Sequence, residues 1–411
     1  MLSNLMVGYQ DTIALHPYDA DHREARKILY TALASHKMEA IQPIHEEKIA
    51  DFLRRLLISP DQLQAHIRQL VASVVYQVSH GYTVTSNDDP LVQLSAKANH
   101  DFSRAAAPGA FLVDVFPILR YVPEWFPGAQ FKKTAKELRK TAERLKNEPY
   151  DQVKDQVSRG VAVPSFTSNI IEQHPQATKA QEDLYKWTTV AFYAGEFLKS
   201  GSDTTVSAIS SFFLAMVLYP DVQQKAREEL DSVLGPGSLP TFSDRAKLPY
   251  IEALIKEVYR WNPVAPMAIP HRLVQDDIYN GFFLPAGSLV VANSWGAMHD
   301  PDVYSSPLEF MPERYLPSVK TDSDLPDPRI FAFGYGRRTC PGQYLADNSL
   351  FLTVASTLTM FEISNSIDRV TGLPAVTQAR YTSGIIRQVY AIAFISICFD
   401  TNKFKLSFWE Y

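Results

Sequence analysis

Apolar residues recur three and four apart through most of the first three-fifths of the chain, with charged residues between them. Residues 21–35, 46–57 and 59–77 carry this pattern and predict amphipathic helices. A stretch rich in proline and aromatics, 116–128, breaks it with Pro117, Pro123, Trp125, Pro127 and Gly128. Residues 132–146 resume as a strongly charged helix holding Lys132, Lys133, Lys136, Arg139, Lys140, Arg144 and Lys146 among interspersed acids. That mixture predicts a solvated face; the sharper reading is a docking surface for an acidic partner. One long apolar helix is predicted over 184–219, stopped by Pro220, then helices over 221–234 and 250–261. The texture then changes. Residues 272–274 and 277–279 read as strands leading into Asn280-Gly281, a strong short hairpin signal, with 282–284 and 288–293 completing a small sheet. A loop-rich stretch, 299–333, ends in a last helix over 343–361. The pattern predicts a mainly α body with a minor β part placed late.

Composition narrows the class. Of 411 residues, 46% are hydrophobic and 21% charged, which excludes wholesale disorder, collagen and coiled coil. A formal net charge of -5 gives no general attraction to nucleic acid or anionic membrane. The first residues lack the basic start and apolar run of a signal. The longest nearly unbroken apolar stretch, 389–399, is well short of the ~20 residues that cross a bilayer, so no membrane anchor is expected in this chain. Cysteine occurs only as Cys340 and Cys398, too few for a disulfide framework or a four-thiolate zinc site.

Cys340 therefore needs its own explanation. It stands in Phe333-Gly334-Tyr335-Gly336-Arg337-Arg338-Thr339-Cys340-Pro341-Gly342, just before an apolar helix. Glycines on both sides permit positive φ and close backbone approach to something flat or bulky. Two arginines and a helix amino end are surroundings that stabilise a thiolate. A sulfur ligand to a soft metal centre fits this loop better than an inert buried cysteine. The decapeptide resembles the haem-binding loop of the cytochrome P-450 family, Phe-x-x-Gly-x-Arg-x-Cys-x-Gly, with every fixed position matched. The resemblance implies haem b (iron protoporphyrin IX) with Cys340 as its axial thiolate, Phe333 and Gly342 as parts of the haem loop, and Arg338 on a propionate.

Two further segments are similar to the family's. Glu257-Val258-Tyr259-Arg260 looks like its Glu-x-x-Arg helix, and Phe310-Met311-Pro312-Glu313-Arg314-Tyr315 like its Pro-Glu-Arg-Phe segment. The resemblance implies that Glu257, Arg260 and Arg314 form a buried structural network behind the haem loop. Ser200-Gly201-Ser202-Asp203-Thr204-Thr205 is a polar cluster in a predicted apolar helix, where burial and propensity both oppose it. It reads either as a threonine bonding the carbonyl one turn earlier or, by resemblance, as the family's oxygen-activation motif. In the second reading Thr204 and Asp203 serve proton delivery. Against the family's pattern, residues 196–201 look like about six added positions ahead of this motif, which would set the two helical halves about 120° out of phase. Either a local bulge or a shift of face is expected. His271 falls where the family binds a propionate. His22 stands where a tryptophan is usual in the family's Trp-x-x-x-Arg helix, with Arg26 as the second propionate partner.

The resemblance extends from about residue 10 to about residue 386. It implies the family's fold, a triangular helical body with small β-sheets, here N-terminally truncated: the usual anchor and first strands are expected to be absent. Residues 1–386 form the haem–thiolate domain and 387–411 an atypical apolar tail, which packs locally or adds a strand. Most similar in texture are fungal microsomal members acting on secondary metabolites. The implied activity is hydroxylation or epoxidation of a small apolar substrate with dioxygen and electrons from an NADPH-cytochrome P-450 reductase, no dinucleotide-binding segment being visible in the chain. Val264, Ala265, Pro266 and Met267, with 382–386, are expected to line the substrate pocket. Full-length relatives reside at the endoplasmic reticulum membrane; a form without an anchor would be soluble. A haem–thiolate isomerase or dehydratase acting on peroxides, and a catalytically impaired haem-binding protein, are the alternatives.

Overall fold

The computed structural model describes residues 6–86, 88–106, 111–192, 204–235, 237–316, 325–366, 381–382, 386–387, 389 and 395–399. Fourteen helices and six strands are described: α1 (Ala20–Leu33), α2 (Gln42–Ile58), α3 (Leu63–His80), α4 (Pro90–Ala106), α5 (Leu112–Val115), α6 (Gln130–Ser158), α7 (Phe166–Gln173), α8 (Lys179–Val190), α9 (Thr204–Leu218), α10 (Pro220–Leu234), α11 (Pro249–Trp261), β1 (His271–Arg272), β2 (Asp277–Tyr279), β3 (Phe282–Leu284), β4 (Leu289–Val290), α12 (Ser294–Met298), α13 (Arg329–Ala332), α14 (Gln343–Met360), β5 (Phe361–Asn365) and β6 (Ile395–Phe399). The expected mainly helical body with a small late β part is what forms. The chain divides into two compact units: Met1–Phe52, Ala65–Asp203 and Pro341–Ala346 in the first, Leu53–Gln64, Thr204–Cys340 and Asp347–Tyr411 in the second.

In the first unit α6 is the spine, packed against α4, α7 and α8, with α1 laid on α8. Its apolar stripe (Ala135, Leu138, Ala142, Leu145) meets Leu91, Leu94, Ala98 and Phe102 of α4 and Trp187 of α8 in one core. Helix starts are set by side chains that satisfy otherwise orphaned N–H groups: Asp19 caps α1, and Ser165 with Ser168 and Thr178 with Gln181 form capping boxes on α7 and α8. The charged helix runs further than the 132–146 stretch implied. It continues through Pro149, whose ring is buried beside Tyr150 and Val153. Lys146 is not part of a solvated face. It is 8% exposed, its ammonium bonded to Glu143 and Asp183 and set 5.5 Å from the centre of the Trp187 ring. The predicted single helix over 184–219 is also corrected. α8 ends at Val190, where Ala191 and Phe192 bond back three residues, to Thr188 and Thr189, tightening the last turn. Residues 196–201 lie outside the described residues.

In the second unit α9 is apolar all round and buried from Val206 to Val217, the mark of a core helix, with α10, α11 and β5 packed around it. β5 alternates buried Phe361 and Ile363 with exposed Glu362 and pairs antiparallel with β6, so part of the apolar tail adds a strand. The Gln223 amide acts as a short mock strand on Ile363, donating to its carbonyl and accepting from its N–H, both at 2.8 Å. Asn280 (φ 49°) and Gly281 (φ 80°) give the β2–β3 hairpin the two positive φ values a tight two-residue turn needs. Its Ile278, Tyr279, Phe282 and Phe283 are all exposed, as are Leu289 and Val290 of β4, which pairs with β1. Among the described residues no single helix is long and apolar enough to cross a membrane.

Three histidines are buried neutral. Burial pushes His45 and His299 down to about 4 and His80 to about 3. An unfolded imidazole takes up its proton near pH 6.5, so below that pH the unfolded chain binds more protons than the folded one. Stability is therefore full above the unfolded value and falls as pH drops towards 4. At pH 5 each histidine is expected to cost on the order of 2 kcal/mol relative to pH 7. Urea midpoints at the two pH values check this; equal midpoints would refute the buried neutral state.

Candidate functional site

The loop carrying Cys340 is built by short-range hydrogen bonds. After α13 the chain turns at Gly334 (φ 80°) and Gly336 (φ 56°), conformations that other residues resist. Arg338 N–H donates to the Tyr335 carbonyl (3.2 Å), and Thr339 donates to the Gly336 carbonyl through both its N–H (3.2 Å) and its Oγ1 (2.8 Å). Cys340 N–H closes the loop on the Phe333 carbonyl at 2.7 Å. The result is a reduced, exposed thiol with exposed Arg337 and half-buried Arg338 just before it, three residues ahead of Gln343, where α14 begins. Gly342 supplies the carbonyl that accepts from Ala346 in the first turn of that helix. Cations and a helix amino end both favour a thiolate here.

Phe333 packs edge-on to the Tyr259 ring at 5.3 Å. The Tyr335 hydroxyl lies 2.7 Å from Ser294 Oγ. Beneath α13 runs an ionic lattice that the sequence did not reveal. Arg329 bonds Asp347 (2.8 Å), Asp327 (3.0 Å) and Glu252 (2.5 Å), while Arg245 bonds Asp347 (2.6 Å) and Glu252 (2.9 Å). Burial opposes the Arg329 charge, but Asp347, Glu252 and Asp327 outweigh it and hold its pKa above the ordinary value.

The second predicted constellation assembles as expected. Glu257, Arg260 and Arg314 have fully buried side chains. Arg260 makes two 2.7 Å bonds to the Glu257 carboxylate and gives its remaining protons to the carbonyls of Met298, Pro307 and Glu309. Arg314 donates to Glu257 (3.3 Å) and to the carbonyl of Ser305, and Met311 N–H adds a third donor to the same carboxylate. Nearly every polar atom is matched, which is what makes buried charge tolerable.

Arg387, next to the 382–386 segment expected to line a pocket, meets Val264 of the other segment. Arg387 N–H bonds the Val264 carbonyl at 2.8 Å, and the Ser207 hydroxyl of α9 reaches the Arg387 carbonyl. Thr204 is the first residue of α9 and is half-buried; Asp203 lies outside the described residues. His271 is exposed on β1, opposite Val290. In the first unit His22 is buried with its ring 5.3 Å from Tyr18, beside Leu184, Trp187 and Thr188, and Arg26 is half-buried one turn further along α1. His45, which the sequence did not single out, bonds the Ile41 carbonyl and the backbone of Leu345 in α14. A cleft of ≈ 270 Å³ near His80 and Gln152 holds no thiol.

Among the described residues no group of three His, Cys, Asp or Glu is placed to hold a bare ion. A metal at Cys340 must therefore bring its other ligands with it. A haem does so, and a single exposed thiol with adjacent cations fits one.

The sequence pattern of the family described as Cytochrome P450 matches residues 3–373. The chain is 42% identical over 368 residues to cytochrome P450 monooxygenase claR of Ampulloclitocybe clavipes, covering 88% of this chain and 66% of that protein. It is 45% identical to O-methylsterigmatocystin oxidoreductase of Aspergillus flavus over 80% of this chain and 61% of the relative. The chain thus spans about two thirds of the length of these relatives. A zebrafish cytochrome P450 structure, solved with progesterone, superposes with a TM-score of 0.75 at 24% identity, covering 97% of this chain and 87% of that one.

Proposed function

The chain belongs to the cytochrome P450 family, and from that premise we propose that it is a haem-dependent monooxygenase acting on a small apolar, secondary-metabolite-like substrate. The observation that carries this is the exposed Cys340 thiol at the end of a loop braced by two positive-φ glycines, with no other metal-holding cluster among the described residues. Bound there, haem b would supply the activation of dioxygen. Cys340 would hold the iron, and Arg338, His271, His22 and Arg26 are the side chains proposed for its propionates. Asp203 and Thr204 would pass protons inward, a hydroxyl and a carboxylate being suited to relay rather than store a proton. The Val264–Met267 and 382–386 segments would contact the substrate. Electrons would come from NADPH through a separate reductase. Residence at the endoplasmic reticulum membrane, as in the microsomal members it resembles, belongs to the same proposal.

The test is turnover under labelled dioxygen, using the haem-loaded chain and a panel of apolar fungal metabolites. One labelled oxygen atom in the product, strictly dependent on NADPH and reductase, is expected. Turnover of an organic peroxide without reductase, and none with NADPH, would replace the reading with an isomerase. A purified chain that takes up no haem would overturn both.

A further inference from the structure

A short helix braces the cysteine loop from outside. Tyr335 lies between the two positive-φ glycines, its carbonyl closes the turn that leads to Cys340, and its hydroxyl is 2.7 Å from Ser294 Oγ. Ser294 is fully buried and is the first residue of α12. That helix is pinned at each end. Asn293 caps it on Gly296 N–H at 2.9 Å, the Trp295 N–H donates to the Pro266 carbonyl at 2.8 Å, and the Met298 carbonyl accepts from buried Arg260 at 2.9 Å. Just past its end, His299 stacks on Trp295 at 4.4 Å and bonds the Trp295 carbonyl through Nδ1 at 2.9 Å. A five-residue helix has little stability of its own. These attachments turn it into a fixed strut, and the Tyr335–Ser294 bond is where the strut grips the loop.

We propose that Tyr335 and Ser294 are positioning residues that act through this hydrogen bond to hold the loop so that Cys340 keeps its sulfur on the haem iron. The inference rests on the haem–thiolate reading above. The loop's own backbone contacts and the Phe333–Tyr259 ring contact act alongside this bond. Two glycines leave that backbone unusually free to move.

The experiment uses the haem-loaded chain, reduced and saturated with carbon monoxide. The far-red thiolate band is followed as it decays to the band of a haem that has lost its sulfur ligand. Tyr335→Phe and Ser294→Ala are each expected to speed that decay at least about threefold. The double variant should be no faster than either single one, because both remove the same bond. Ser294→Thr, which keeps a hydroxyl, should decay at close to the wild-type rate. Urea midpoints read by circular dichroism serve as the control; a general loss of stability would shift these in proportion to the decay rate. Wild-type decay rates in both single variants would overturn the inference and leave the haem–thiolate reading intact. So would additive effects in the double variant, failure of Ser294→Thr to rescue, or decay rates that merely track the urea midpoints. A wild-type chain with bound haem but no thiolate band would overturn both.

Discussion

Cys340→Ser is expected to abolish the red-shifted absorption of the reduced, carbon monoxide-bound protein while leaving the fold in place. The side chain is exposed, and the loop's closing bond uses the Cys340 backbone N–H, so serine disturbs no described packing. What changes is the ligand. A thiol next to Arg337, Arg338 and the start of α14 ionises readily, whereas a serine hydroxyl stays protonated and is a poor match for a soft metal. The thiolate is also what pushes electron density towards oxygen–oxygen cleavage. Turnover should fall at least about a thousandfold, equivalent to ~4 kcal/mol of transition-state stabilisation. Absorption spectra and single-turnover assays measure the two effects separately. A variant retaining the thiolate-type band would show that Cys340 is not the ligand.

Glu257→Gln should be the most destabilising single change in the second unit. The Glu257 carboxylate offsets two guanidinium groups whose side chains are fully buried, and a neutral amide cannot replace that charge. Removing one partner of a buried ionic cluster typically costs about 3–5 kcal/mol, set against a total stability of about 5–15 kcal/mol. Arg144→Gln provides the contrast. Its pair with Glu148 is 60% and 45% exposed, and solvent screens such a pair strongly. Urea midpoints of the two variants should differ accordingly. Comparable shifts would mean that the buried network contributes no more than a surface pair.

Features confined to a few neighbouring residues were the legible ones. The decapeptide ending in Cys340-Pro341-Gly342, the Glu257–Arg260 pair one turn apart and the Asn280-Gly281 turn each depend on contacts within one short stretch of chain. Arg314 was placed with Glu257 by resemblance, and the structure joins them. Hidden from such a reading were Arg329 with Glu252 and Asp347, Tyr335 with Ser294, and His45 with Leu345. In these the partners are far apart in the chain, and neither residue looks unusual where it stands. Lys146 misled for the opposite reason. Its neighbours are charged, so the local pattern read as solvated, yet Asp183 and the Trp187 ring come to it from α8. The end of α8 was missed because apolar residues continue past it, and hydrophobicity alone does not distinguish a helix from the turn that stops it.

The hairpin of β2 and β3 has a practical corollary. Four large apolar side chains face solvent on it, Asp277 is the one formal charge in its two strands, and its sheet is only two strands wide. Each outer strand offers backbone groups that any extended peptide could join, without the lysine or proline that commonly discourages such additions. The hairpin is therefore where self-association is expected to begin, and light scattering against protein concentration measures it.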